Sequence, residues 1–409
     1  MKRAFRASIA AHLVLGAAAL TSVGFPQSVP ETKPTPHTVR LKGKSSFLLL
    51  LPEDFTIVPA AEGLKRVRFM TKSPDGRIFV TTMHDLSDND EGAIYILDGF
   101  DEQRGKFARA IPYLTNLHNP NSIAFYQDAQ GQNWFYLALT DRLVRYKFVG
   151  GEERPTSHPE VLATYPAYGL SYKYGGWHLT RTIAFGPGDK LYVTVGSSCN
   201  ACDEKEEIRA TLSVMDVDGK NQRIIARGLR NAVGMRFVGD SLFLTNMGAD
   251  HLGDIAPDDP MFSISPSALR EAKLDYGWPH CYYSGGKPTT DARFQLRPSR
   301  MDCQTTPDAF AFFGAHSSPL GLDYFGVEST APLLKEHFLV ALHGASNKKL
   351  DRGYRVVSVD AHGQVQDLIT GFIRDGLVRG RPCDILKLSE NSFLLSDDYA
   401  NVIYYVHAK

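Results

Sequence analysis

The stretch Val67–Val80, VRFMTKSPDGRIFV, has the pattern that decides the fold of this chain. Two runs of apolar and β-branched residues flank Asp75-Gly76, and the glycine supplies the positive φ that a tight hairpin turn needs. The stretch therefore predicts two antiparallel strands joined by a short turn. Related phrases begin at five later positions: Ser122, Thr182, Val233, Leu320 and Asp384.

Six occurrences of one strand phrase indicate a repeating architecture. Most units carry a second pair of strands, as in Leu212–Asp216 followed by Gln222–Ala226. Four short strands per unit predict an all-β, six-bladed β-propeller with four-stranded antiparallel blades, because each blade needs neighbours to cover both of its faces. Independent domains are the alternative. A short helical pattern at Ser267–Lys273 falls in a predicted insertion, Asp250–Phe313.

The amino-terminal segment, residues 1–24, has the order of a secretory signal peptide. Lys2, Arg3 and Arg6 precede an apolar run, Ala10–Leu20, which is too short to span a bilayer comfortably. We expect a periplasmic or secreted protein; an uncleaved amino-terminal anchor is the alternative, and no other integral membrane domain is expected. A polar, proline-rich composition then predicts a linker over residues 25–45, with the propeller domain over 46–409.

Composition excludes several classes of protein. The 409 residues are 43% hydrophobic, which is too apolar for a disordered chain. The chain has 45 Lys and Arg residues and 45 Asp and Glu residues, so its formal net charge is zero. The basic residues are scattered along the sequence and predict no continuous basic surface. We therefore expect no nucleic-acid partner, since such proteins carry a basic surface for the phosphates.

Three short motifs lie beside predicted inner strands, where the loops of a propeller meet the central channel. His178 follows two glycines and a tryptophan, and an imidazole can take a proton near neutral pH. Arg230-Asn231 opens the fourth unit, and Arg379-Gly380-Arg381 opens the sixth. Guanidinium groups are suited to a polyanionic ligand. Taken singly, His178 is better explained as a packed, hydrogen-bonded residue, and each arginine as a member of a surface ion pair.

Taken together, six motifs in order resemble the soluble quinoprotein sugar dehydrogenases, in particular the glucose/sorbosone dehydrogenase group. The resemblance covers about residues 51–407. The motifs are Trp177-His178 with Arg181–Pro187, Val195–Asp203, Gly228–Asn231, Leu252–Asp254, Tyr276–Cys281 and Arg379–Pro382.

This resemblance implies a six-bladed propeller that binds pyrroloquinoline quinone (PQQ) and calcium at the channel mouth. It implies oxidation of an aldose or related sugar to the lactone or acid, with hydride transfer to the quinone. His178 would be the base, and Arg230 would be both a catalytic and a cofactor-binding residue beside the reactive carbonyl. The other implied cofactor contacts are Asn231, Arg379, Arg381, Asn119 and Arg352. The backbone carbonyls of Gly248 and Ala249 would hold calcium, a cation that prefers oxygen ligands.

The chain departs from the pattern of that family at several positions. Trp177 precedes the base where the glucose-oxidising branch has an aspartate, and Met247 replaces an amide. No lysine of the fifth blade matches the family's cofactor contact; Lys348, Lys349 and Arg352 are the candidate substitutes. A propeller that binds carbohydrate or protein without catalysis is therefore the alternative function.

Two further alternatives concern acidic residues and a histidine. A calcium-dependent lactonase would require Asp203, Asp250 and Asp254 to converge on the channel. His316 is either a second polar contact to the substrate or a structural residue.

The five cysteines fit an exported protein. Cys199 and Cys202 form a C-x-x-C motif without a second such pair, so we expect a structural disulfide and not a zinc site. Cys281 and Cys303 are candidates for another, which leaves Cys383 as a buried thiol. No haem-attachment motif occurs, so electrons would leave to a separate acceptor.

Overall fold

The computed structural model describes residues 33–167, 178–271, 273–296 and 301–409. The predicted signal segment, the first residues of the predicted linker and Gly175–Trp177 lie outside these ranges, and the predictions made for them stay predictions. In the described ranges, no helix has the length and apolar character needed to cross a membrane.

The described chain is almost entirely β-structure. Before the first repeat come β1 (Pro34–Val39), β2 (Phe47–Pro52) and β3 (Phe55–Glu62). Blade 1 contains β4 (Val67–Lys72), β5 (Ile78–Thr82), β6 (Gly92–Asp101) and β7 (Lys106–Leu117). Blade 2 contains β8 (Ser122–Gln127), β9 (Asn133–Ala138), β10 (Arg142–Phe148) and β11 (Glu160–Thr164). Blade 3 contains β12 (Arg181–Gly186), β13 (Lys190–Val195), β14 (Thr211–Asp216) and β15 (Arg223–Arg227).

The remaining strands follow in the same order. Blade 4 begins with β16 (Ala232–Val238), β17 (Ser241–Asn246) and β18 (Asp259–Ile264). An excursion then contains α1 (Pro266–Glu271), β19 (Leu274–Asp275), β20 (Cys281–Ser284) and β21 (Lys287–Thr290) before β22 (Ala311–Phe313) completes the blade. Blade 5 contains β23 (Pro319–Phe325), β24 (His337–Leu342), β25 (Arg355–Val359) and β26 (Val365–Ile369). A hairpin of β27 (Ile373–Arg374) and β28 (Leu377–Val378) leads to β29 (Pro382–Ser389), β30 (Ser392–Asp397) and β31 (Val402–Ala408) of blade 6.

The predicted six-bladed β-propeller is confirmed. The inner strands β4, β8, β12, β16, β23 and β29 each contact the inner strand of the next blade, so the ring is closed. Blade 6 is built from both ends of the described chain, because β3 pairs antiparallel with β31 from Phe55–Ala408 to Glu62–Val402. This pairing leaves no gap between the first and last repeats.

The apolar core lies between the blades. Strand β5 is buried along its whole length, as expected for a strand covered on both faces. Between blades 1 and 2, Phe79 and Phe135 are fully buried with their ring centroids 5.7 Å apart. Burying one such ring contributes on the order of 1.5–3 kcal/mol, so the repeated aromatic residues of the sequence phrases hold neighbouring blades together.

Two predicted boundaries need correction. Residues 34–39, predicted to belong to the linker, form β1, which pairs with the apolar strand β2 from Pro34–Pro52 to Val39–Phe47. The predicted insertion Asp250–Phe313 contains β18 and β22, the third and fourth strands of blade 4. The pairing of β18 with β22 was not predicted, because a long excursion separates the two strands in the sequence.

Candidate functional site

One end of the propeller carries a cavity of about 280 Å³ to which several blades contribute. The segments that enter the inner strands meet at this end, because inner strands run in the same direction around the ring. His178 precedes β12, Asn231 precedes β16 and Arg381 precedes β29, and all three line the cavity. The structure therefore brings together three of the predicted site residues, which lie far apart in the sequence.

His178 and Asn231 lie on either side of Gly196. An ideal Cβ on this glycine would lie 2.5 Å from His178 Cβ and 2.6 Å from Asn231 Oδ1, so only glycine allows this close approach. His178 Nδ1 lies 2.8 Å from Ser197 Oγ and 3.1 Å from the Ser197 carbonyl oxygen. Burial and the nearby Arg230 guanidinium hold the pKa of His178 well below its usual value. His178 is therefore a neutral imidazole at neutral pH.

Arg230 lies behind Asn231, against a small adjoining cavity. Its guanidinium is buried and donates to the carbonyl oxygen of Asn200 at 2.9 Å, to Asn200 Oδ1 at 2.8 Å and to Asp250 Oδ2 at 3.0 Å. Asn231 Nδ2 lies 3.5 Å from the sulfur of Met247, which borders both cavities. The Arg-Asn pair therefore spans two neighbouring cavities.

The turn predicted to hold calcium borders the same small cavity. Gly248 N–H donates to Asp259 Oδ1 at 2.7 Å, and Ser318 N–H donates to Asp259 Oδ2 at 2.8 Å. Among the described residues, no donor is hydrogen-bonded to the carbonyl oxygens of Gly248 or Ala249. Two open carbonyls suit a hard cation. They are a small ligand set, so a calcium ion here would need further oxygens from a cofactor or water.

The structure does not bring Asn119, Arg352 or Arg379 to the cavity wall. Asn119 is fully buried; its Oδ1 accepts from Asn89 N–H and its Nδ2 donates to Ser87 O, both at 2.9 Å. Its amide is thus committed to holding a neighbouring loop. Arg352 and Arg379 are exposed. Residues two apart on an extended strand point to the same side. Arg379 and Arg381 lie between β28 and β29, outside both strands, and only Arg381 reaches the cavity wall.

A buried network that sequence reasoning missed lies on the opposite side of the cavity. Arg68 from β4 and His343 after β24 both line the cavity. Asp398 is fully buried and accepts from Arg68 Nη1 at 3.1 Å and from His343 Nε2 at 2.8 Å. Burial alone would raise the pKa of Asp398, but His343 and Arg68 hold it well below its usual range. Asp398 and its two partners come from three different blades, so no local motif signals this network.

Arg381 adds a second guanidinium to this side of the cavity. It donates to the carbonyl oxygens of His343, at 2.9 Å, and Gly344, and it lies 5.3 Å from the centre of the Tyr354 ring. Among the described residues, no carboxylate lies within ion-pair distance of Arg381, and burial lowers the pKa of its guanidinium. A mostly buried cation without a carboxylate partner favours an anionic ligand.

The other candidates have structural partners. His316 Nε2 lies 2.7 Å from Gly253 O, away from the cavity wall. Asp250 pairs with Arg230, and Asp203 lies 3.2 Å from His280 Nε2. Together with Asp254, these carboxylates do not line the cavity, so the lactonase alternative has no support in this arrangement.

The predicted disulfides are confirmed. Cys199 is bonded to Cys202, and Cys281 is bonded to Cys303. Cys383 is a buried free thiol and the second residue of the inner strand β29.

Comparison with known proteins agrees with this architecture. A family model described as TrAA12-like matches residues 55–370, well over half of the chain. The chain belongs to the TrAA12-like family. A curated relative from Borreliella burgdorferi, described only as an uncharacterized protein, is 24% identical over 385 residues, which is 89% of this chain and 97% of the relative.

Solved structures similar to this TrAA12-like chain share its fold at low identity. The holo form of the pyranose dehydrogenase PQQ domain from Coprinopsis cinerea is 17% identical with a TM-score of 0.69, covering 88% of this chain and 97% of that one. The calcium structure of the family AA12 enzyme from Trichoderma reesei is 16% identical with a TM-score of 0.70, over 88% and 97%. The PQQ-bound aldose sugar dehydrogenase from Streptomyces coelicolor is 17% identical with a TM-score of 0.60, over 87% and 99%. The chain therefore has the fold of PQQ-dependent sugar oxidoreductases.

Proposed function

We propose that this TrAA12-like protein is an exported PQQ-dependent dehydrogenase that oxidises an aldose or related sugar to its lactone or acid. The observation that carries the proposal is the cavity at the channel mouth, where His178 and Asn231 face two guanidinium groups, those of Arg68 and Arg381. A neutral base and an anion-binding wall in one cavity are what this reaction requires of the protein. The similar structures of the holo PQQ domain from C. cinerea and the PQQ-bound enzyme from S. coelicolor support the choice of cofactor.

The residues of the cavity fit an anionic, planar quinone. Arg381 has no carboxylate within ion-pair distance among the described residues, so a carboxylate of the cofactor would complete its pairing. Arg68 provides a second cation whose own partner, Asp398, is fully buried. Arg68 and His343 thus replace Asn119, Arg352 and Arg379 in the proposed cofactor site. The carbonyls of Gly248 and Ala249 are the proposed protein ligands of calcium.

The protein's own part in the reaction is proton transfer and orientation. When bound, PQQ supplies the two-electron acceptor for a hydride, and calcium supplies a Lewis acid. His178 would accept the hydroxyl proton of the sugar at Nε2, since its Nδ1 is held by Ser197. Arg230 would stabilise negative charge that develops beside Asn231. The electrons would then leave to a separate acceptor.

Export is supported by two disulfides in the described part of the chain. Such bonds persist in oxidising compartments. A periplasmic or secreted location also agrees with the signal-like segment of residues 1–24.

The direct test is titration of the calcium-loaded apoprotein with PQQ, followed by absorbance, and then addition of a panel of aldoses. We expect stoichiometric binding and reduction by at least one sugar. Arg381→Gln should weaken PQQ binding by about 10- to 100-fold, the loss expected for one charge-assisted contact. Arg374→Gln, an exposed arginine of the same region, is the matched control and should bind normally.

The role of His178 is tested separately. His178→Ala should lower kcat by at least about 100-fold, the usual contribution of a general base, while PQQ binding stays within about twofold. Equal loss of binding and turnover would contradict the base assignment. Saturable PQQ binding without reduction by any sugar would favour the alternative of a non-catalytic binding propeller, and no binding at all would refute the cofactor proposal.

A further inference from the structure

Two proposed catalytic side chains from different blades are held by one loop. His178 enters blade 3 and Arg230 enters blade 4. The disulfide loop, Ser197–Glu204, follows β13 and contacts both of them. We propose that this loop is the positioning element of the active site, with Ser197 fixing the tautomer of His178 and Asn200 fixing the direction of Arg230. This inference rests on the proposed function.

The hydrogen bonds of Ser197 determine which nitrogen of His178 carries the proton. Ser197 Oγ donates its only proton to Cys199 O at 2.7 Å, so toward His178 Nδ1 it can only accept. The Ser197 carbonyl oxygen, 3.1 Å from the same nitrogen, is also only an acceptor. Nδ1 must therefore be the protonated nitrogen, and the lone pair lies on Nε2.

The hydrogen bonds of Asn200 fix the guanidinium of Arg230. The backbone and side-chain oxygens of Asn200 accept from Nε and Nη2 of Arg230, a pair of hydrogen bonds that holds the planar group along one edge. Asn200 Oδ1 also accepts from Asp250 N–H at 2.9 Å, and Trp278 Nε1 donates to Asn200 O at 3.2 Å. In addition, Ser197 N–H donates to the carbonyl oxygen of Arg230 at 2.8 Å. The loop thus fixes both the backbone and the side chain of Arg230.

The loop itself is closed at short range. The Cys199–Cys202 disulfide encloses Asn200, and Cys199 O is the acceptor that orients Ser197 Oγ. Ser198 N–H and Oγ donate to the two oxygens of Glu204 at 2.6 and 2.7 Å. Because one covalent link lies between the two contact residues, its loss should disturb both catalytic groups together.

The tautomer is tested on the full-length apoprotein, without cofactor. The ¹⁵N chemical shifts of His178, assigned by difference from His178→Gln, should show Nδ1–H in the wild type and a mixture of tautomers in Ser197→Ala. Ser198→Ala is the matched control, since it alters the same loop without contacting His178, and it should keep the wild-type tautomer. An Nε2–H tautomer in the wild type, or equal spectra for the two variants, would overturn the proposal whether or not the protein binds PQQ.

The kinetic test uses the same pair in the loaded enzyme. Ser197→Ala should lower kcat by about 10-fold or more, in the range found when orienting partners are removed, with KM and the PQQ Kd within about twofold. In a plot of kcat against pH, the limb that reports the pKa of the base should shift in Ser197→Ala. Equal kcat values for Ser197→Ala and Ser198→Ala would contradict the positioning role.

The covalent link is tested against the second disulfide of the chain. Replacing Cys199 and Cys202 together by serine should lower kcat by about 10-fold or more with a small change in the urea midpoint, because this bond closes a short loop. Replacing Cys281 and Cys303 by serine should lower the urea midpoint and leave kcat nearly unchanged. That bond spans a sequence separation of 22 and therefore closes a longer loop. A kcat for the first variant within twofold of the second would overturn the role of the link.

Discussion

Removal of the charge on Asp398 should destabilise the whole propeller, and Asp398→Asn is the perturbation that keeps the volume of the side chain. Asp398 is fully buried, and it pairs with Arg68, whose side chain is 5% exposed, and with His343. Breaking a buried pair by removing one partner leaves the other charge without compensation and costs about 3–5 kcal/mol. We expect a decrease of this size in the free energy of unfolding at pH 7.5.

The assay is equilibrium unfolding in urea, followed by tryptophan fluorescence and circular dichroism, with the slope of the transition compared between variants. The control is Asp367→Asn, which removes a half-exposed partner of Arg355 at 3.0 Å. Exposed pairs of this kind contribute about 0–1 kcal/mol. A loss in Asp398→Asn no larger than in the control would refute the reasoning.

The pH dependence gives an independent check on the same residue. The pKa of Asp398 is depressed in the folded protein, so its contribution to stability is complete above the unfolded pKa of about 3.9 and is lost as the pH falls below it. The stability difference between wild type and Asp398→Asn should therefore narrow in acid. A difference that widens in acid would contradict the assignment of a charged carboxylate.

Three further predictions follow from burial and close packing. Gly380→Ala should lower the urea midpoint, because the added Cβ would overlap with Asp397 Oδ2. Gly326→Ala is the control and should leave the midpoint unchanged, since this glycine has open space around it. Equal midpoints for the two variants would contradict the prediction. The pKa of His343 is lowered to about 4 by burial and by Arg381, so this residue has no pH-dependent effect on stability above pH 6.5. As the pH falls from 6.5 toward 4 the unfolded chain takes up the proton first, which lowers the free energy of unfolding by about 3 kcal/mol. His343→Gln should flatten the measured stability curve over that interval. Cys383 is buried and its thiol pKa is raised, so it should react with a thiol reagent only in the unfolded protein, as measured by labelling with and without urea.

The blade count was predictable because each hairpin is specified by local residues. Asp75-Gly76 sets one turn, and alternation of apolar residues sets the strands on either side. The pairing of β3 with β31 was not predictable in this way, because it joins residues at opposite ends of the domain. The linker boundary was wrong for the same reason: Pro34–Val39 forms a strand only through its pairing with β2, and its own polar, proline-rich sequence does not indicate one.

The candidate site divides along the same line. His178, Asn231 and Arg381 lie in short motifs beside glycines, and the fold brings them to one cavity. Arg68 and His343 lie within ordinary strand phrases, and only their shared contact with a buried carboxylate distinguishes them.

The sequence by itself determined the number of repeats, the strand character of each repeat and the residue types able to carry proton transfer and anion binding. These properties depend on backbone propensity, side-chain periodicity and side-chain chemistry, which are local. The tertiary structure alone decided which of those residues meet. Closure of the ring places the entrances of all inner strands at one end of the channel, so Arg68 of blade 1 comes to face His178 of blade 3. That proximity depends on packing between blades, and no single stretch of sequence contains it.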